Sequence, residues 1–156
     1  MLKKTFILIF FLFIYSCGYQ PIYSKKNIDN NSFSINQLIF EGDKNINLRM
    51  KEKLNSYKLI KKDRNFTLKI KSDSEKMILA KNLAGDPTDF KITVTIIVEI
   101  ISENGKKNIL RVEEDFKYSN SASKFSLRRY EKEIKNNLAE TSTEKLILRL
   151  SNIQWF

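Results

Sequence analysis

Few side chains in this sequence have the chemistry of a catalytic or metal site. The chain of 156 residues contains no histidine and one cysteine, Cys17. This composition excludes imidazole catalysis, thiol–imidazole pairs, intrachain disulfides and His/Cys metal sites. Glu113, Glu114 and Asp115 are adjacent, but strand alternation would turn Glu114 away from the other two, which suits neither an acid/base pair nor a metal site. The sequence leaves a serine nucleophile activated by a lysine as an alternative. We nevertheless expect that the protein is not an enzyme and that it binds no metal and no cofactor.

Cys17 ends a segment with the features of a secretion signal. Lys3 and Lys4 give it a positive start, and Thr5–Tyr15 is an almost wholly apolar run of 11 residues, too short to span a bilayer, which takes about 20. The run ends at residues 14–17 (IYSC), which resemble the bacterial lipobox. We predict that residues 1–16 are removed as a lipoprotein signal peptide and that Cys17 receives a thioether diacylglycerol and an N-acyl chain. An ordinary signal peptide with an incidental cysteine is the alternative.

The mature chain would be strongly basic. The whole chain has a net charge of +10, and loss of Lys3 and Lys4 with the signal leaves 26 basic and 18 acidic residues, a net +8. Such an excess favours an anionic partner, for example a phosphorylated lipid or an acidic membrane surface. Composition explains the charge equally well, because Lys outnumbers Arg by 22 to 6 and Asn and Ile are abundant, as in an AT-rich genome. Export argues against nucleic acid as the partner.

Period-two alternation predicts four strands. In the third strand every even position from Phe90 to Ile100 is apolar. The second strand is expected to continue irregularly to Ala80, with a bulge near Ser74. Turn residues at 82–88 and at Asn104-Gly105 join the last three strands into an antiparallel meander with one buried face. The predicted strands are 34–40, 65–72, 89–101 and 108–118.

Helical spacing of apolar residues predicts two amphipathic helices. The first spans 46–58, with Asn45 as a candidate N-cap, and the second spans 124–150, where residues 141–143 could break it. The expected fold is α+β: a two-layer sandwich of a four-stranded mixed sheet with two helices on one face, in the order β-α-β-β-β-α. This domain would occupy 33–156, behind an acylated N-terminus and flexible tether over 17–32.

The start of the mature chain, residues 17–23 (CGYQPIY), resembles that of the LptE family of LPS-assembly lipoproteins, especially its alphaproteobacterial branch. The size of the chain and the β-α-β-β-β-α order are similar over essentially the whole mature length. The resemblance implies a lipoprotein anchored in the outer membrane on its periplasmic side. Such a protein is a plug and assembly partner of the β-barrel protein LptD and is thought to bind lipopolysaccharide directly. Gly18 agrees with the outer membrane, because an aspartate there would indicate retention at the inner membrane.

Some basic residues are candidates for contacts with these partners. Lipid A phosphates need several Lys or Arg beside apolar surface, and Lys69, Lys71 and Lys91 are expected on the outward face of adjacent strands. Exposed lysines that only keep the sheet soluble are the alternative. Arg128 and Arg129 could contact the lumen of a barrel, or could equally pair with nearby glutamates.

Two further interpretations remain open from the sequence. The basic residues at 58–64 are expected to form a solvated loop. For the whole protein, the alternative function is a periplasm-facing lipoprotein that binds a lipid or another small ligand in its own pocket.

Overall fold

The computed structural model of the chain describes residues 33–59 and 61–153. The predicted signal peptide, Cys17 and the tether therefore lie outside the described residues. Two α-helices, a short 3-10 helix and four strands make up the described part. Their bounds are β1 Ser34–Gly42, α1 Lys44–Leu54, the 3-10 helix Asn55–Lys58, β2 Asn65–Lys81, β3 Pro87–Ser102, β4 Lys107–Ser119 and α2 Lys124–Ser151.

The four strands form one mixed sheet in the order β1-β2-β3-β4. β1 runs parallel to β2, while β2, β3 and β4 are antiparallel neighbours joined by tight turns. The crossover from β1 to the parallel β2 passes through α1, as a parallel pair requires. Both helices pack on one face of the sheet, α1 against β1 and β2 and α2 against β3 and β4. The predicted fold class and element order are confirmed.

The core lies between this face and the helices, and it uses the alternation that the sequence predicts. All six even-numbered residues from Phe90 to Ile100 are buried, as are Phe66, Leu68 and Ile70 of β2. From the helices, Ile46, Met50 and Leu54 of α1 and Leu146 and Leu150 of α2 are almost completely buried. Each such aliphatic side chain stabilises the fold by about 1.5–3 kcal/mol relative to an exposed one.

The junction between β1 and α1 is the tightest turn of the chain. Gly42 has a φ of 95°, and a Cβ atom there would lie 1.9 Å from the carbonyl oxygen of Ser72. The next residue, Asp43, accepts hydrogen bonds at its carboxylate from the backbone N–H groups of Asn45 (2.9 Å) and Ile46 (3.3 Å). Asp43 is therefore the N-cap of α1, and the assignment of the cap to Asn45 is wrong. The chain needs both the glycine and this cap to reverse directly from strand into helix.

The bulge in β2 lies nearer the end of the strand than expected. The pairing with β3 is regular through Ser74 and shifts only between Ile78 and Lys81. The prediction of a bulge near Ser74 is therefore wrong. The apparent change of alternation there has another cause, because β1 stops opposite Ser72 and the rest of β2 loses that neighbour.

Helix α2 is continuous through the polar residues at 141–143. The hydroxyl of Thr143 donates a 2.6 Å hydrogen bond to the carbonyl of Ala139 within the same helix, so it does not compete for other backbone groups. Ala139, Ser142 and Thr143 are all buried, so this stretch of α2 faces the interior of the domain. None of the helices in the described ranges combines the length and the hydropathy that a transmembrane helix requires.

The end of α2 is held by a residue from the loop before β2. The guanidinium of Arg64 donates to the carbonyl oxygens of Leu150 (3.2 Å), Ser151 (3.0 Å) and Ile153 (2.8 Å). Carbonyl oxygens at the C-terminal end of a helix lack the regular intrahelical partners, and a cation is favourable there. The expectation that 58–64 is simply a solvated loop is therefore wrong for Arg64, which has a structural role.

Two of the three positive-φ glycines among the described residues, Gly42 and Gly105, allow a matched test of this fold. We expect Gly42→Ala to lower the free energy of unfolding by roughly 2–4 kcal/mol, because a Cβ adds a clash with Ser72 to the backbone strain. Gly105→Ala should cost only about 1 kcal/mol, since Gly105 also has a positive φ but faces open space. Urea unfolding of both variants measures the difference. Equal losses would contradict the close approach of Gly42 to β2.

Candidate functional surface

Within residues 33–59 and 61–153, no helix covers one face of the sheet, and we call it the open sheet face. It carries the odd-numbered residues of β3 and their neighbours in register on β1, β2 and β4. Because both helices pack on the opposite side, these side chains are exposed or only partly buried. Lys69, Lys71 and Lys91 all lie on this face, as the alternation predicts.

Lys69 and Lys71 border a depression of about 320 Å³ that is open to solvent. Ile39 and Ile97 supply apolar surface beside them. The Nζ of Lys69 lies 3.5 Å from the carboxylate of Glu99, which also forms a 2.9 Å ion pair with Lys107. Lysine ammonium groups therefore stand next to aliphatic surface, as a site for a phosphorylated amphiphile needs.

The carboxyl of Glu99 is held in its charged form by these lysines. The hydrogen bond from Lys107, with a smaller contribution from Lys69, keeps the pKa of Glu99 below its ordinary value. Lys69 is thus partly neutralised by an acidic neighbour. Lys71 has no acidic partner within salt-bridge distance in the part of the chain that the structure describes.

Lys91 shares the face with the other two lysines but lies in a different part of it. Lys71 is opposite Ile97, whereas Lys91 is opposite Met77 on β2 and Lys117 on β4. Six residues along a strand separate Lys91 from the position opposite Lys71, which is about 20 Å. Lys69 and Lys71 are therefore close together, whereas Lys91 is too far away to share a site with them.

Charges of both signs alternate over the open sheet face, while the excess of positive charge lies elsewhere. Helix α1 has four basic residues and one acidic residue, and α2 has seven basic and four acidic residues. The basic side chains of the open sheet face are Lys69, Lys71, Lys91, Lys107, Arg111 and Lys117, and the acidic ones include Glu41, Asp73, Glu75, Glu99, Glu113 and Asp115. The balance predicts weak attraction to a simple anionic surface.

The adjacent acidic residues of β4 are separated as alternation predicts. Glu113 pairs with Arg111 on the open sheet face at 2.7 Å, whereas Glu114 pairs with Lys145 of α2 on the other side. Over residues 33–59 and 61–153, no group of three or more His, Cys, Asp or Glu side chains could hold a metal ion.

Arg128 and Arg129 lie on the exposed side of α2, near its start. Neither forms an ion pair with any acidic residue in the described ranges. Glu131, which could have neutralised them, is paired with Lys76 instead. Both arginines are therefore exposed and available for a contact outside the chain.

A polar cluster under the first half of α2 escaped the sequence reasoning. The carboxylate of Glu131 accepts bonds from Lys76 of β2 (2.6 Å) and from the hydroxyl of Tyr118 of β4 (2.8 Å). The ammonium of Lys76 also lies 3.9 Å from the ring centroid of Phe90. Lys76 and Glu131 are 55 residues apart, so no local pattern joins them. The sequence held one signal for this cluster. Lys76 has an even number, like the buried apolar residues of β2, and strand alternation therefore places its charge on the side that faces the helices.

The cluster shifts the titration of both acidic partners. Partial burial alone would raise the pKa of Glu131, but the bonds from Lys76 and Tyr118 hold it below its ordinary value. Burial and the neighbouring carboxylate raise the pKa of the Tyr118 hydroxyl, which therefore stays protonated as a donor. The cluster attaches the first half of α2 to β2 and β4.

Comparisons with known proteins show where this fold occurs. Rare lipoprotein B of Shewanella oneidensis matches with a TM-score of 0.60 at 12% sequence identity, over 75% of this chain and 95% of that one. A minor lipoprotein of Acinetobacter baumannii matches at 0.56 and 14%, over 74% and 90%. Lipoprotein B of Nitrosomonas europaea matches at 0.53 and 10%, over 76% and 83%. No family model matches the sequence, and no curated protein matches it. The chain therefore shares the fold of these bacterial lipoproteins.

The Glu131 cluster predicts a pH-dependent part of the stability. We expect Glu131→Gln to lower the free energy of unfolding by about 1–2 kcal/mol at neutral pH, a value limited by the partial exposure of Lys76. Because the folded-state pKa of Glu131 is depressed, this stabilisation is complete above the ordinary value of 4.5 and is lost as the pH falls through the lower folded-state value. The difference between wild type and variant should therefore shrink in acid.

Glu133→Gln is the matched control for this experiment. Glu133 is an exposed glutamate on the same helix and has no ion pair among the described residues. Its variant should unfold like the wild type at every pH. A similar loss in both variants would show that the cluster does not stabilise the fold.

Proposed function

We propose that this protein is an outer-membrane lipoprotein of the LptE type, of the alphaproteobacterial branch, and that it assists lipopolysaccharide assembly as plug and partner of an LptD-type β-barrel. The observation that carries the proposal is the combination of two independent features. A lipobox-like segment leads directly into CGYQPIY, and the domain behind it has the fold of solved bacterial lipoproteins. The first feature is local sequence and the second is tertiary structure, so neither depends on the other.

The open sheet face supports contact with the inside of a barrel. The interior of an outer-membrane barrel is polar, and a plug must present a surface that a polar wall can accept. Ion pairs share this face with exposed isoleucines. Ile109 lies opposite Glu99, which pairs with Lys69 and Lys107, and Ile97 lies opposite Lys71. On α2, Arg128 and Arg129 are exposed and form no ion pair with any other described residue.

A non-catalytic role agrees with the arrangement of the functional groups. The acidic residues of β4 point to opposite faces, and the partly buried Glu131 is engaged in holding α2 on the sheet. The alternative of a ligand pocket has less support, because the space between sheet and helices is filled by side chains such as Ile96 and Leu146. The depression beside Lys69 and Lys71 is open to solvent instead.

The anchor and the partner are tested together. We expect the wild-type protein to incorporate labelled palmitate and, after mild detergent extraction and affinity purification, to bring down a large outer-membrane β-barrel that mass spectrometry identifies. The Cys17→Ala variant should incorporate no palmitate, because it lacks the only thiol of the chain.

Two results would contradict the proposal in different ways. Palmitate incorporation that persists in Cys17→Ala would rule out the predicted anchor. A wild-type protein that is acylated but brings down no barrel would rule out the plug function while leaving the anchor in place.

Direct binding of lipopolysaccharide is tested at Lys69 and Lys71. Reversing both charges should weaken the binding of purified acylated protein to lipopolysaccharide by about tenfold, since two charge-assisted contacts to phosphate would be lost. Lys91→Glu, on the same face but about 20 Å away by strand geometry, is the matched control and should change binding little. Binding that is unchanged in the double variant, with the thermal midpoint preserved, would remove this pair from consideration.

A further inference from the structure

The described chain enters the domain beside the basic loop at 58–64. The ring of Phe33 stacks on Tyr57, with ring centroids 5.0 Å apart. The backbone N–H of Ser34 donates to the carbonyl of Arg64 at 2.8 Å, and the hydroxyl of Ser34 accepts from the N–H of Lys62 at 3.0 Å. The loop is thus bonded directly to the first residues of β1, next to the point where the chain arrives from Cys17.

This loop presents an exposed leucine between basic residues. The side chain of Leu59 is 77% exposed, whereas that of Leu54, five residues earlier, is completely buried. Lys58 has no acidic partner among the residues that the structure describes. Lys61 lies 3.6 Å from Glu103, but their side chains are 78% and 56% exposed, so the pair contributes little. An aliphatic group flanked by ammonium groups is the pattern of a contact with an anionic lipid surface.

The loop is fixed in place by contacts on its other side. Arg64 binds three carbonyl oxygens at the end of α2, and its guanidinium lies 5.7 Å from the ring centroid of Phe66. Asn65 binds Glu103 through its side-chain amide at 3.0 Å. These bonds hold Arg64 and Asn65 on the domain, and Lys58, Leu59 and Lys61 are exposed beside them.

We propose that Lys58, Leu59 and Lys61 contact the anionic bilayer surface in which the acyl chains of Cys17 are held. The inference rests on the proposed acylation of Cys17, which places a membrane within sixteen residues of Phe33, or about 55 Å of fully extended chain. The chain from Cys17 joins the domain at Phe33, whose ring stacks on Tyr57 just before this loop. Anchors of this kind act together with basic residues, because lysines near an anionic surface strengthen the attachment. Lys25 and Lys26 of the intervening sequence have the same sign.

The opposite end of the sheet supplies a matched control. Leu83, in the turn between β2 and β3, is also fully exposed. β2 has 17 residues between the loop and that turn, which corresponds to about 55 Å of strand. A membrane that contacts Leu59 therefore leaves Leu83 in water.

The experiment uses a polarity-sensitive fluorophore at each position. Since acylation occupies the only native thiol, Leu59→Cys and Leu83→Cys each introduce one reactive cysteine into the full mature protein. The labelled proteins are reconstituted into vesicles of phosphatidylcholine, or of equal parts phosphatidylcholine and phosphatidylglycerol. In the anionic vesicles we expect the emission of the label at position 59 to shift to shorter wavelength and to gain severalfold in intensity. The label at position 83 should report water in both.

Charge reversal tests the basic residues separately. Lys58→Glu combined with Lys61→Glu should abolish the response of the label at position 59, and high salt should reduce the response in the native background. Both lysines are exposed, so the variant should keep the wild-type thermal midpoint, which is measured alongside.

The possible failures are distinguishable. If the acylated protein floats with the anionic vesicles but the label at position 59 still reports water, this inference is overturned and the anchor stands. If the protein does not float at all, the proposed anchor is wrong and the inference fails with it. An equal response in phosphatidylcholine alone, or one seen only when a barrel protein is added, would also overturn the assignment to an anionic bilayer.

Discussion

The structure depends on the burial of one face of β3. Phe90, Ile92, Val94, Ile96, Val98 and Ile100 all point to the same side and are buried. An apolar stripe of this length must be covered over its whole extent, and α1 and α2 are the elements available to cover it. The 28 residues of α2 reach past α1 to the far end of the sheet. With both helices used on one side, the other side of the sheet is left open.

This division of the molecule explains where its functional candidates lie. Lys69 and Lys71 are exposed because none of the described elements covers the open sheet face. Glu99 is paired there because strand neighbours bring it between Lys69 and Lys107. Lys76 points to the helix-facing side, where its charge is tolerated because it donates to the carboxylate of Glu131, which also accepts from Tyr118. Lysines of β2 therefore have two roles. Lys69 and Lys71, at odd positions, lie on the open sheet face, and Lys76, at an even position, helps to hold α2 on the sheet.

Basic residues close in sequence also differ in role. The guanidinium of Arg64 is engaged in hydrogen bonds to carbonyl groups at the end of α2. Lys58, six residues earlier, has no acidic partner in the described part of the chain. Arginine suits the first role because its planar guanidinium can donate to several oxygens at once. A count of positive charges could not have separated the structural arginine from the exposed lysines.

The sequence by itself determined the element order, the hairpin turns and the inward faces, because alternation and helical spacing are local and one apolar face must be buried. It also allowed the separation of Glu113 from Glu114 to be predicted, since neighbours on a strand point to opposite sides. Tertiary structure alone decided the pairing of Glu131 with Lys76 and the distance between Lys71 and Lys91. These depend on strand register and on contacts between residues far apart in the chain, and no local pattern in the sequence specifies either.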